Sequence, residues 1–552
     1  MGGLHRQNQK SYLAPAFDDA MAGSLLLSLL AIACTTIGCG GSAPPPTMDF
    51  GLSVSHSSVS TEVGATTLPV TIAVDAQNGF TGTVDIALQG IPQGVTTSPS
   101  SSFSVVTGVG QSVTFSVPAS ATVGTSSITV LATSGTLSHQ AQFMLTTEAI
   151  VRTFQIGSVL YLESGPPTDI SRIGLETMWG GSIVEVSLNG TNFVNRHDTG
   201  REAQLDFRDV DVPSWNPTLG GDHYDQGTPT FEYALTSNSL YTKAQPLQWS
   251  PEKYGGGPGH PVAGDVLVEQ TVTGVTGQPH TFKVHYKVTH LGNDLHANTA
   301  QEFPAVYTNQ DYNRFVYYGG AAPWTNAALT VTQFPGLPSF SPRLYVPERW
   351  GALVNSQNIG LTVYVPSQEP YLIGFAAPNS GPGGPTDSAT NYFALMGNLT
   401  LGPNLLFEAD IYLIAGDYAT ARQIVYNLHQ SVTAPDIFTP FEATDQPRPG
   451  TTISGVTPVS GWTFDDQEVV KVEILVDGMN DGIASYGSPR PDVQAVFPSS
   501  PLNVGFSYSL DTTKYNNGRH TLNVQVTDTS GNIAVCPNVV VTVSNPAAIA
   551  GP

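Results

Sequence analysis

The sequence predicts an all-β protein: an Ig-like sandwich, a large β-supersandwich and a second Ig-like sandwich. Three observations carry that expectation. Runs rich in Val, Thr, Ser, Phe and Tyr recur along nearly all of the 552 residues, separated by turn signals drawn from 56 Gly and 42 Pro. Apolar residues fall at helical spacing convincingly only once, where Ala421, Ile424, Val425 and Leu428 share a face and Asp417 is placed to cap it. The length exceeds what one ordinary core fills, so several domains are expected.

The formal charge is −23, and no Lys or Arg occurs between residues 40 and 150. Such a surface repels phosphate backbones, so nucleic acid is not an expected partner. The acidity suits a soluble extracellular protein.

At the N-terminus, residues 23–38 read GSLLLSLLAIACTTIG and precede Cys39-Gly-Gly-Ser-Ala-Pro-Pro-Pro. The apolar run is too short to span a bilayer but has the length of a signal-peptide core. Small residues before a cysteine and a Gly/Ser/Pro tether after it resemble a bacterial lipoprotein signal. The resemblance implies a signal peptide over 1–38, lipidation at Cys39, a tether over 39–47 and membrane attachment through the lipid. Cys34, after Ala33, is a rival lipidation site. With Cys39 lipidated, Cys536 in NIAVCPNVVVTV is the only cysteine left after the signal, and it reads as a buried small hydrophobe.

Residues 48–148 contain LPVTIAVDA, GTVDIALQG, QSVTFSVPA, SSITVLATS and QAQFMLTT, alternating apolar and polar with turns at regular spacing. Seven short strands in that arrangement describe a sandwich of immunoglobulin type. Residues 435–546, with VSGWTFDDQEVVKVEILVDG and a last strand VVVTV, read as a second sandwich. Both resemble the Ig-like modules of secreted bacterial proteins. Asp477, Asn480 and Asp481 offer a possible structural Ca²⁺ site, but no bidentate carboxylate stands at a diagnostic interval and a solvated turn is the expected reading.

Residues 149–432 differ: they hold five of the six Trp and eight of the twelve His. Function is therefore sought there. VLVEQTVTGVTGQPHTFKVHYKV reads as a hairpin in which Phe282, Val284, Tyr286 and Val288 face a core, while Lys283, His285 and Lys287 face solvent. The succession GGSIVEVSLNGTNFVN, a polar strand and HTFKVHYKVTHLGNDLHANTAQEFPAVY resembles the supersandwich of galactose-mutarotase-like proteins. That architecture also serves glycoside hydrolases and polysaccharide lyases. The resemblance implies a sugar-binding cleft fed by the polar segment after TFKVHYKV. The mutarotase histidine motif and its later glutamate are not plainly present, so mutarotation itself is not implied.

An irregular loop after that strand would bring His290, Asp294, His296 and Glu302 to a cleft rim. Sugar chemistry needs a proton donor to the glycosidic oxygen and a carboxylate or base opposite. Glu302, followed by Phe303 and Pro304, is the candidate acid, because apolar neighbours raise a carboxyl pKa. His296 is the candidate base or substrate holder, and Glu348 in YVPERWGALVN is the second carboxylate. Candidate substrate-binding residues are Asn195, His197, Arg201 and Gln204 in NFVNRHDTGREAQLDF, Trp215, His223 and Tyr224 in SWNPTLGGDHYDQGTP, and His290, Tyr307, Trp324 and Trp350. Arg201 has the geometry for clamping a uronate carboxylate and equally for a surface ion pair with Asp198 or Glu202. Trp179 and Trp249 read as core.

His290, His296 and Glu302 stand at six-residue intervals that match no compact ligand motif, so no metal is expected. There is no Gly-x-Ser-x-Gly elbow and no phosphate-binding Gly loop. The expected function is a surface-anchored, secreted carbohydrate-active enzyme that needs no cofactor. It would cleave a polysaccharide by hydrolysis or, secondarily, by elimination, for which Tyr307, Tyr312, Tyr317 and Tyr318 supply candidate bases. The alternative is a non-catalytic glycan-binding or adhesion lipoprotein.

Overall fold

The computed structural model describes residues 46–546 except 119, 149, 167–168, 198–199, 201, 334–344, 368–373, 379–389 and 499. The chain divides into two units, Met1–Met48 and Asp49–Pro552. The signal-peptide and Cys39 expectations lie outside the described residues, and the sheets, cores and site all belong to the second unit. Among the described residues no helix is long and apolar enough to cross a membrane.

The fold is all-β, as expected. Residues 49–148 form a four-stranded and a five-stranded sheet, nine strands where the sequence suggested seven. Their alternating inward residues, Phe50, Ile72, Phe115, Val130 and Phe143 among them, make one core. The C-terminal residues form a four-stranded and a six-stranded sheet around Ile474, Phe506, Val524 and Val541, with Cys536 buried and in no disulfide.

Between these lie the sheets that matter for function. A six-stranded sheet runs Leu247–Gln248, Pro217–Thr218, Ala203–Asp206, His296–Asn309, Thr390–Leu401, Gly374–Pro378. A nine-stranded sheet carries Val266–Gly274, Thr281–His290 and Leu406–Asp417 side by side at its centre. The two share one core, in which Phe282, Tyr286, Phe303, Phe393 and Phe407 meet. Removing each such side chain from water contributes roughly 1.5–3 kcal/mol.

The predicted hairpin is present in register, Val266 opposite His290 and Gly274 opposite Phe282. Phe282, Val284, Tyr286 and Val288 are fully buried, and the opposite face is a half-exposed charge ladder in which Lys287 meets Glu269 and His285 meets Asp410. The helix spans Tyr418–Ser431, and Asp417 accepts from the backbone N–H of Ala419 and Thr420. Asp417→Ala leaves both donors unpaired and is expected to cost about 1 kcal/mol, measurable as a lower denaturant midpoint.

The largest departure from expectation lies after His290. The loop is only residues 291–295, and Glu302 sits in a 14-residue strand, His296–Asn309, paired on both edges. Pro304, which has no N–H to give to a ladder, lies where the register slips by one residue between Glu302 and Ala305. A bulge is where a missing N–H is tolerated, and it re-aims the neighbouring side chains.

Candidate functional site

Gln204, Asp206 and Arg208 alternate along AQLDFR, a period-two spacing that puts all three on one face at the end of a strand. Asp206 stands directly opposite Glu302 on the adjacent strand. The Arg208 guanidinium lies between the two carboxyl groups. Its Nε donates to Asp206 Oδ1 at 3.1 Å, and its other end contacts Glu302 Oε1. Asp206 also accepts from Asn216 Nδ2 at 2.8 Å and from the Thr218 hydroxyl at 3.0 Å, so both its oxygens are oriented. Gln301 fixes Arg208 by its backbone, accepting from its N–H at 2.6 Å and donating to its C=O at 3.0 Å.

These groups open onto a cleft of about 170 Å³ lined by Gln204, Asp206, Arg208, Asn216, Thr218, Trp249, Glu302 and Tyr307. Behind it Tyr307 lies against Tyr392, ring centroids 4.8 Å apart. Trp249 is half-buried on the wall, not core as its sequence context suggested. His223 and Tyr224 do not line it: their rings lie 3.9 Å apart, that of His223 is 6.0 Å from Trp249, and His223 Nε2 is 2.9 Å from Glu252. Burial and the neighbouring Asp206 push the Glu302 carboxyl up to about 7, outweighing the pull of Arg208. A proton is thus held near neutrality on a group facing a cleft.

Asp211, in the loop that follows Arg208, accepts from the backbone N–H and side-chain amide of Asn538. The cleft loop is thereby tied to the C-terminal sandwich. A larger, mainly apolar cavity of about 740 Å³, lined by Leu399, Phe407, Ile437 and Val535 among others, also lies against that sandwich, with Glu408, Asp436 and Asn532 among its polar residues.

Several expected site residues are elsewhere. His296 and His290 are buried in a separate cluster with Asp265, Asp294 and Trp215. His296 Nδ1 is 2.7 Å from Asp209, and Trp215 stacks on its ring while donating to Asp265 at 2.7 Å. Burial alone would lower the His296 pKa, but Asp209 and Asp265 raise it to about 9. His296 and Glu302 are six residues apart on one strand, roughly 20 Å at 3.3 Å per residue, so they do not act on one bond.

Glu348 is not a cleft carboxylate. It is fully buried and accepts from Trp350 Nε1 at 2.9 Å, Arg422 Nη2 at 2.8 Å, the Tyr426 hydroxyl at 2.7 Å and the Trp324 backbone at 3.1 Å. Trp350 is likewise fully buried, and Trp324 stacks on His429 of the helix. Neither is a sugar platform beside Glu302. Asn195 is buried, and its side chain accepts from His197 N–H while its backbone donates to Tyr307 C=O, so it shapes the turn beside Tyr307. His197 is exposed, and Arg201 lies outside the described residues. Asp477, Asn480 and Asp481 turn to His520, Glu473 and Tyr515 respectively, not to a common ion.

Asp206, Arg208, Asn216, Thr218 and Trp249 were missed because they lie in or just beside three short strands that only the sheet brings together. The alternation of Gln204, Asp206 and Arg208 is the one local signal that points to them.

Residues 440–524 match the family model described as a bacterial Ig domain. No curated protein matches the chain. Among solved structures, similarity is found to an endo-β-1,4-mannanase from Thermotoga petrophila at 16% identity and TM-score 0.15, over 23% of this chain and 24% of that one. A polysaccharide lyase is 10% identical at TM-score 0.27, over 72% of this chain and 47% of that one. A proposed aldose 1-epimerase from Klebsiella pneumoniae subsp. pneumoniae is 12% identical at TM-score 0.30, over 55% of this chain and 88% of that one. The chain thus spans less than half the length of the mannanase and of the lyase. What the fold and the match define is an all-β multi-sandwich protein with a bacterial Ig module over 440–524.

Proposed function

We propose that the protein is a carbohydrate-active enzyme that hydrolyses a polysaccharide in the Glu302 cleft. The observation that carries this reading is a buried carboxyl lining the cleft directly opposite a second, well-oriented carboxylate, with burial and Asp206 pushing its pKa up to about 7. Glu302 would give its proton to the leaving glycosidic oxygen. Asp206, held by Arg208, Asn216 and Thr218, would attack the anomeric carbon, and water would then release the sugar with Glu302 acting as base. Both carboxyl groups contact one guanidinium, and Asp206 in this reading forms a glycosyl-enzyme intermediate. Retention of configuration follows from this reading. Trp249 would stack on a sugar face, with Gln204 and Asn216 bonding hydroxyls.

Export, lipidation at Cys39, attachment to the cell envelope and the division of the chain at 48–148, 149–432 and 435–546 belong to the same proposal. So does the absence of nucleic acid among its partners, which the charge of −23 supports.

A non-catalytic glycan-binding role is the second reading, favoured by one feature: Arg208 already satisfies both carboxyl groups. The deciding experiment incubates the purified chain with neutral and uronic-acid polysaccharides, following reducing ends and ultraviolet absorbance. Reducing ends without absorbance are expected. Absorbance would replace hydrolysis by elimination, binding without product would establish the second reading, and neither binding nor product would remove both. Trp249→Ala is expected to weaken binding of an oligosaccharide about tenfold, measured by calorimetry.

A further inference from the structure

We propose that Asp265, His290, Asp294 and His296 bind one first-row divalent transition cation, zinc by donor chemistry, in a structural site separate from the Glu302 cleft. Their ligand atoms all lie within 4.8 Å of one another. His290 Nε2 is 3.5 Å from Asp265 Oδ2 and 3.7 Å from Asp294 Oδ1, and His296 Nε2 is 4.0 Å and 3.9 Å from oxygens of the same two carboxylates. Tetrahedral zinc with nitrogen and oxygen ligands at about 2.0–2.2 Å would need each donor to move inward by less than about 1 Å.

Two further observations point to an ion. His290 Nδ1 is 2.8 Å from the Gly402 carbonyl, which can only accept, so Nδ1 carries the proton. His296 Nδ1 is 2.7 Å from the Asp209 carboxylate and is protonated for the same reason. Both Nε2 atoms are then left turned toward the two carboxylates. They are buried, on residues 0% and 2% exposed, and neither has a hydrogen-bond partner. At 3.5–4.0 Å they stand at or beyond the limit of direct hydrogen bonds, and a cation taken up between them would displace any second ring proton and satisfy both nitrogens and both carboxylates at once.

The second observation is Gly292. A Cβ there would fall 2.4 Å from Asp294 Oδ1, 2.6 Å from His290 Nε2 and 2.7 Å from Asp265 Oδ2, so the backbone leaves open the space where the donors converge. The Gly402 and Asp209 bonds are the outer contacts that fix ring orientation in histidine metal sites, and the Trp215 indole does the same for Asp265. Two imidazoles select a transition ion over Ca²⁺ or Mg²⁺, and four protein ligands make the site structural. Bound there, the ion would staple the start of Val266–Gly274, the end of Thr281–His290 and the start of His296–Asn309. Through Asp209 it would also brace the loop that carries Arg208.

The test uses the tag-free full chain, stripped with chelator and titrated with Zn²⁺ and with Co²⁺. One equivalent is expected to bind at pH 7.5, with a raised thermal midpoint and the visible absorption of tetrahedral cobalt. Asp294→Asn, at a side chain 65% exposed, is expected to lower affinity at least tenfold without moving the midpoint of the metal-free chain. Gly292→Ala, which removes no ligand, is expected to abolish uptake. The proposal is overturned if the wild-type chain takes up neither ion stoichiometrically. It is equally overturned if both variants bind as tightly as wild type, which would place the ion elsewhere, as at Asp436, Asp465 and Asp466.

Discussion

Glu302→Gln is expected to lower turnover of a polysaccharide substrate by about 10²–10⁴-fold while leaving binding nearly unchanged. Gln keeps the shape and one acceptor but cannot deliver a proton, so a loss confined to turnover isolates proton transfer. The wild-type rate is expected to fall as pH rises through about 7, where Glu302 loses its proton. Stability has the same sign. Because the folded pKa of about 7 lies above the ordinary 4.5, the folded chain binds the extra proton between those values. The contribution of this group is therefore complete below about pH 4 and lost as pH rises through 7. Glu302→Gln should flatten that part of the stability profile. Undiminished turnover by the variant would take Glu302 out of the chemistry.

Glu348→Gln is expected to destabilise the fold by about 3–5 kcal/mol, the cost of breaking a buried ion pair from one side. Arg422 would be left buried opposite a neutral amide, and the Trp350, Tyr426 and Trp324 donors would lose a charged acceptor. Burial alone would raise the Glu348 pKa, but Arg422, Tyr426 and Trp350 hold it below 4.5. Its contribution is thus present above pH 4.5 and lost as pH falls through the lowered value. Calorimetry of the variant at pH 7 checks the magnitude. A stable variant that had lost activity would return Glu348 to the candidate site. The contrast between the two glutamates is instructive: each sits among aromatic residues in the sequence, yet only one faces open space.

Much of the architecture was legible because it depends on short-range regularities. Period-two alternation in TFKVHYKV fixed which side chains are buried, and Asp417 with its apolar spacing fixed the helix. The Trp and His content singled out residues 149–432, and GDVLVEQ and HTFKVHYKV were already recognisable as neighbours. The site was legible only in pieces. Glu302 and Tyr307 were identified, whereas their partners Asp206, Arg208 and Trp249 were not. His290 and His296 were recognised as a concentration of titratable groups, but Asp265, 25 residues before His290 in the sequence, was not recognised as their companion.

What the sequence by itself determined is the all-β class, the buried faces of the strands it made recognisable and the helix capped by Asp417, because a strand's inward and outward faces follow from its own alternation. Which charged residues meet was decided only by the tertiary structure. Sheet order and a one-residue slip at Pro304 place Asp206 opposite Glu302, and the hairpin register sets Asp265 beside His290. Those pairings join residues about a hundred positions apart in one case and about twenty-five in the other, so no local pattern encodes them, and it is the burial of Glu302 and His290 beside half-buried carboxylates that gives the carboxyl and imidazole groups their chemistry.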